Sequence, residues 1–421
     1  MSEFAVSQDT VTTVLRRARV FDGRRFLDGQ HDLVLRAGTI ESVTPSPAAI
    51  EVHDPRNEVV TVECAGRTVT PGFIDAHVHL MVSSTSLFDI FDKPFSLPYY
   101  ESVGYAAAVL RSGVTTTRDA GFADAGMRAA IDRGIIAGPR MKISISIVST
   151  TGGHGDLWLQ SGIEAEQFME TPGRPNGVAD GVDEVLKTTR RLFRAGADQI
   201  KICSTGGVLS PNDHPEHSQY SVTEIRTIVD EAEAHGSYVM SHAIGATGIR
   251  NALAAGVRSI EHGMLIDDEG LQLMLDTGAF LVPTLTAPRQ VLLGAEQGVQ
   301  VAPAMLDKAK RMADLHLASF ARAAEVGVRI AMGSDAGVGP QGTSLDELAV
   351  MAEGGMSLER VLAAGTSEAA VLLQEGDRIG SLAPGYLADL VLLDLDLTDT
   401  GQLGGITDRV ANVWKGGARV A

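Results

Sequence analysis

Cysteine is almost missing from this 421-residue chain. Cys64 and Cys203 are the only two, and neither lies in a Cys-x-x-Cys pair. That excludes a disulfide framework and makes a reducing cytoplasm the expected compartment. Aromatic residues reach only 5%, so a core must rest mainly on Ala, Val, Leu and Ile. Basic residues are outnumbered, 35 against 53 acidic, for a net charge of −18. Such a chain repels phosphate backbones, so nucleic acid is not an expected partner. No uninterrupted apolar run approaches the ~18–20 residues of a membrane span. The first ten residues show no basic stretch followed by an apolar one, so neither a membrane partner nor a signal peptide is expected. The expected partners are a small-molecule substrate and further copies of the chain, as a homo-oligomer.

What is present is ordinary globular composition, 44% hydrophobic and 21% charged. The first ~68 residues read as short strands and turns, too few for a robust core alone. From about Thr70 the texture changes. Apolar strands are expected near Pro71–His79, Thr115–Asp119, Met141–Ile147, Gln199–Cys203, Tyr238–His242, Ser259–His262, Phe280–Pro283 and Arg329–Asp335. Helix-patterned stretches lie between them, most clearly Val182–Ala195, Val222–His235, Ala246–Ala255 and Ala302–Val326. Eight strands alternating with helices predict an α/β chain with a (β/α)8 TIM-like barrel over 70–375. After about Gly376 short strands return. The two termini, 1–69 and 376–421, are therefore expected to pair into a small β-sandwich.

The 11 histidines are unevenly spread. Asp75-Ala-His77-Val-His79 closes the first expected barrel strand, and residues i and i+2 of a strand point to one side. Lys201, between two isoleucines, closes the fourth. His242 closes the fifth, His262 the sixth and Asp335 the eighth. Singly, each has an ordinary explanation. A histidine can be hydrogen-bonded in a core, an aspartate can cap a helix, and a buried lysine can pair with a carboxylate. Lys201 could equally form a Schiff base or be modified into a ligand. Jointly, five strand ends bear ligand-capable groups at the face where barrel active sites lie. Four imidazoles, a carboxylate and a lysine suit a pair of divalent ions, Zn2+ first, with Mn2+ or Co2+ as alternatives.

Pro71-Gly-Phe-Ile-Asp-Ala-His-Val-His79, Glu261-His-Gly263, Gly333-Ser-Asp335 and the stretch Gly376–Val391 resemble the amidohydrolase superfamily, in its binuclear form with a carboxylated lysine. The resemblance spans essentially the whole chain. It implies that His77, His79 and Asp335 bind the more buried metal and that His242 and His262 bind the other. It further implies that Lys201, carboxylated by CO2, bridges the two. A hydroxide between the metals would attack a carbonyl, and Asp335 would pass its proton to the leaving amine.

His242 is followed by Ala-Ile-Gly-Ala without the glutamate common in mononuclear deaminases, which favours amide hydrolysis. Thr150-Thr-Gly-Gly-His154-Gly-Asp156 and Ile202–Pro211 look like the prolidase and carboxypeptidase-like branch, whose members cleave Xaa-Pro or N-acyl amino acids and include ochratoxin-type amidases. On that resemblance His154 is a candidate oxyanion donor, against a loop-fixing hydrogen bond. Tyr220 is a candidate for a substrate carboxylate or carbonyl, against simple packing. Arg289 is a candidate for gripping a substrate carboxylate, and the segment 205–219 for a lid. The alternative activity is a cyclic-amide hydrolase of the imidazolonepropionase type, or a deaminase acting on a heterocycle. A non-catalytic scaffold would not need the complete ligand set.

Overall fold

The computed structural model describes residues 11–47, 58–82, 93–158, 162, 170–210 and 213–421. Five strands come first: β1 (Val11–Phe21), β2 (Phe26–Arg36), β3 (Thr39–Pro45), β4 (Glu58–Glu63) and β5 (Thr68–Pro71). The barrel follows, with β6 (Phe73–Val78), β7 (Val114–Asp119), β8 (Arg140–Ile143), β9 (Ile147–Val148), β10 (Ile200–Cys203), β11 (Val239–Ala243), β12 (Ser259–His262), β13 (Phe280–Val282) and β14 (Arg329–Ile330). Every pairing in it is parallel. β8 and β9 are two halves of one barrel strand. They are separated by a bend at Ile145, whose φ of 69° breaks the ladder. β8 pairs with β7 and β9 with β10, so the third strand is handed from one neighbour to the next.

Closure falls between the first and last strands. Asp335 N–H donates to His77 O at 2.8 Å, and His79 N–H donates to Ala336 O at 2.7 Å. The eighth strand is shorter than expected because its later residues leave the ladder with β13 to make these closing bonds. Helices occupy Gly181–Ala195, Val222–Ala234, Ala246–Ala254 and Pro303–Val326, close to the expected ranges. Ser221 and Glu224 form the reciprocal capping box that starts the second of these. Among the described residues no helix is long and apolar enough to cross a membrane.

The chain ends with β15 (Leu390–Leu393), β16 (Val410–Lys415) and β17 (Ala418–Arg419). These join the first five strands in one eight-stranded curled sheet, the β-sandwich domain beside the barrel. β5 stitches the termini together, antiparallel to β15 and parallel to β1, and runs directly into the first barrel strand. β15 is buried on both faces, as period-two alternation allows. Leu390 and Leu392 join Leu15, Leu33, Ile40 and Trp414 in the sandwich core, whereas Val391 and Leu393 join the barrel's core. Arg140 of β8 reinforces that seam with two hydrogen bonds to Asp389, at 3.0 and 3.1 Å. Trp414 is the largest fully buried side chain. Trp414→Ala is expected to lower the unfolding free energy by about 3–5 kcal/mol, read as a fall in the urea midpoint.

Candidate metal centre

The strand ends turn sharply where the candidate ligands sit. His262 and Asp335 have φ of 70° and 57°, and Thr284, which bonds His262, has 54°. Non-glycine residues avoid this region, and each costs roughly 1–3 kcal/mol. Buried hydrogen bonds hold the turns in place. Asp75 accepts from His77 N–H at 3.1 Å and from Ser334 N–H at 3.0 Å, tying the first strand to the residue before Asp335. Burial raises the Asp75 carboxyl to about 6. Asp119 accepts from the backbone N–H of Leu80, Gly121 and Ala123 and so shapes the turn after His79.

Each of the four imidazoles has one ring nitrogen engaged away from the centre. His77 Nδ1 lies 2.7 Å from Glu261 Oε2, His79 Nδ1 3.2 Å from Gly121 O, and His262 Nδ1 2.7 Å from Thr284 Oγ1. His242 is reversed, with Nε2 3.0 Å from Gly206 O. The carboxylate and carbonyl acceptors select the tautomer of His77, His79 and His242, leaving Nε2 of the first two and Nδ1 of the third as lone-pair donors, and His262, with Nδ1 engaged by the Thr284 hydroxyl, offers its Nε2. Burial, together with neighbouring positive charge, holds His77, His242 and His262 well below the ordinary imidazole range, in the neutral form that binds metal.

The donor atoms converge. Asp335 Oδ1 lies 3.6 Å from His77 Nε2 and 3.4 Å from His79 Nε2. Two ligands of one tetrahedral ion with bonds of ~2.0–2.1 Å stand roughly 3.3 Å apart. His77, His262 and Asp335 each offer an atom within 4.8 Å of the others. Burial alone would raise the Asp335 carboxyl, but the His77 and His79 imidazoles override it and hold it far below the usual range. Lys201 Nζ stands 3.4 Å from His77 Nε2, and burial depresses its ammonium. The residues therefore fit a metal centre in number, donor type, protonation and spacing.

Beneath the centre lies a network that the sequence reading missed as site residues. Arg118 and Glu261 are both fully buried. Arg118 donates twice to Glu261, at 2.9 and 3.0 Å, and also to Ser259 Oγ and Ala76 O. Glu261 in turn fixes His77. The signal was visible in an arginine and an aspartate closing the otherwise uncharged strand Val114–Asp119.

A cavity opens over the centre. His77, His79, His154, Lys201, His242, His262 and Asp335 all line it. The structure does not bring Tyr220 or Arg289 to it. Tyr220 is buried in the barrel core and its hydroxyl donates to Ala179 O at 2.8 Å, which uses the proton a substrate would need. Arg289 lies on the outer side of its helix, where Nη2 donates to Glu353 at 2.8 Å. His214 and His217 are exposed, facing each other at 4.8 Å.

The amidohydrolase family's sequence profile matches residues 68–420. The chain belongs to that family. It is a hydrolase acting on C–N bonds, with relatives in the prolidase-like branch. Ochratoxinase from Aspergillus niger is 31% identical over 359 residues, covering 82% of this chain and 74% of that enzyme. A prolidase crystallised with N-methylphosphonate-L-proline superimposes with a TM-score of 0.86 at 34% identity, covering 97% of this chain and 99% of its own. A Xaa-Pro dipeptidase with methionine bound in its active site reaches the same TM-score at 29% identity, covering 97% and 99%.

The network yields a prediction that needs no substrate. Glu261→Gln removes the charge that orients His77 and leaves Arg118 uncompensated. Metal affinity, measured by chelator competition, should fall ~10–100-fold.

Proposed function

We propose that this amidohydrolase cleaves the amide bond of a dipeptide-like or N-acyl amino acid substrate. It would work with two divalent ions, most simply Zn2+, held by His77, His79, His242, His262, Asp335 and a carboxylated Lys201. The observation that carries the reading is the arrangement of the four imidazoles, each with one nitrogen anchored outward and the other left free beside an ionised Asp335. Divalent ions, when bound, supply Lewis acidity and lower the pKa of water.

The remaining roles belong to the chain. Burial pushes Lys201 toward the neutral amine, the form that adds CO2. Asp335 faces His77 and His79 through Oδ1, which leaves Oδ2 to accept a proton and return it to the leaving nitrogen. His154 lines the cavity with its ring stacked on His242 at 4.2 Å between centroids. Its Nδ1 lies 2.8 Å from Ser210 Oγ, whose own proton goes to Asp213. Nδ1–H therefore donates to Ser210, and Nε2 serves the substrate, as an oxyanion donor when the ring carries its second proton. Much of the remaining lining is apolar, with Val208, Leu209, Ile244, Met264, Pro288 and Val291. It suits an apolar group on one side of the scissile amide. The names of the relatives, ochratoxinase and prolidase, agree with such substrates.

A panel of N-acyl amino acids and Xaa-Pro dipeptides, scored by amino-acid release, tests the reading. At least one apolar member should turn over. Chelation should abolish turnover and Zn2+ should restore it. Lys201→Ala and Asp335→Asn should each abolish it, and His154→Ala should lower kcat about 10²–10³-fold. Ammonia release without a new carboxylate would instead indicate deamination. Near wild-type activity in Lys201→Ala or Asp335→Asn would refute the mechanism.

A further inference from the structure

Lys308 lies on the helix Pro303–Val326, between β13 and β14, yet its ammonium reaches the segment after β10, 101 residues earlier at Gly207. Its side chain is only 12% exposed. Nζ donates to three backbone carbonyls, Gly207 O at 3.0 Å, Ser210 O at 2.8 Å and Asp213 O at 2.6 Å. It also stands 3.4 Å from Asp213 Oδ1. A lysine has three donors, and here all of them have acceptors.

The same three residues touch the imidazole of His154. Gly207 abuts the ring so closely that a Cβ there would lie 2.1 Å from its Cε1. Ser210 Oγ accepts from Nδ1, and Asp213 Oδ2 lies 3.5 Å from that nitrogen. Asp213 also accepts from Gly207 N–H at 2.9 Å and from the Ser210 hydroxyl, so the three residues are locked to one another as well as to Lys308. The carboxyl of Asp213 is held down at about 2. Burial works to raise it, and the bond and charge of His154 outweigh that.

We propose that Lys308 and Asp213 are positioning residues that hold His154 in its catalytic orientation. Lys308 gathers Gly207, Ser210 and Asp213, and these hold the ring against His242 with its Nε2 edge left to the cavity. Gly207, Ser210 and Asp213 are thus each tied to an outer helix. An ammonium with three carbonyl acceptors and a carboxylate nearby also suits simple loop stabilisation, so the test must separate the two. The inference rests on the amidase reading above for its kinetic arm only.

Asp213→Asn, which keeps the size and shape of the side chain, and Lys308→Met should each lower kcat at least ~10-fold with KM changed less than about twofold. In a His154→Ala background neither should lower kcat further, because the group they position is gone. Equal losses in both backgrounds, or no loss in the wild-type background, would overturn the proposal. A crystal structure of Lys308→Met supplies an arm independent of turnover. His154 released from Ser210 and from its stack on His242 supports the inference, and an unmoved ring refutes it. If the unsubstituted protein hydrolyses nothing in the panel, the amidase reading fails while the crystallographic arm still decides the positioning.

Discussion

Arg118 and Glu261 are withdrawn entirely from water beneath the barrel mouth, and the orientation of His77 depends on that pair. Two charges taken into a protein interior are costly unless every donor and acceptor is answered. Here they are. The guanidinium serves Glu261, Ser259 and the backbone of Ala76, and the carboxylate serves Arg118, Ser259 and His77. The network joins β6, β7 and β12, so three strands must be in register before His77 can point at Asp335. Around it, burial keeps three of the imidazoles neutral and ready to bind metal.

The outer parts of the molecule converge on the same point by other means. Asp75 and Asp119 use carboxylates as caps for backbone N–H groups at the strand ends, which steadies the left-handed turn at Asp335 and shapes the one after His79. Val208, Ile244, Met264, Val291, Ala309 and Met312 form a small apolar cluster of their own. The helix Pro303–Val326 contributes Ala309 and Met312 to that cluster and Lys308 to the segment beside His154. One outer helix therefore backs both the apolar wall and the polar loop of the cavity.

Legibility in the sequence followed the range of the interactions involved. The barrel's strands and principal helices were readable because alternation and 3.6-residue periodicity are local. The capping box at Ser221 and Glu224 was readable for the same reason. His77, His79, Lys201, His242, His262 and Asp335 could be grouped because a parallel barrel brings all its strand ends to one face, whereas His154 was added only by the family resemblance of its segment. Tyr220 and Arg289 stood close to such ends in sequence, but proximity along the chain does not set where a side chain points. One spends its hydroxyl on Ala179, and the other turns outward to Glu353.

By itself, then, the sequence determined the fold class, the set of groups at the barrel mouth and the absence of disulfides, because each is carried by residue type and local spacing. Only the tertiary structure decided which imidazole nitrogen faces inward, since that depends on Glu261, Gly121, Gly206 and Thr284, contributed by other segments. It alone also joined Lys308 to Gly207, a bond across 101 residues. Hydrogen-bond partners at such separations leave no periodic trace, because they are chosen by packing rather than by neighbours in the chain.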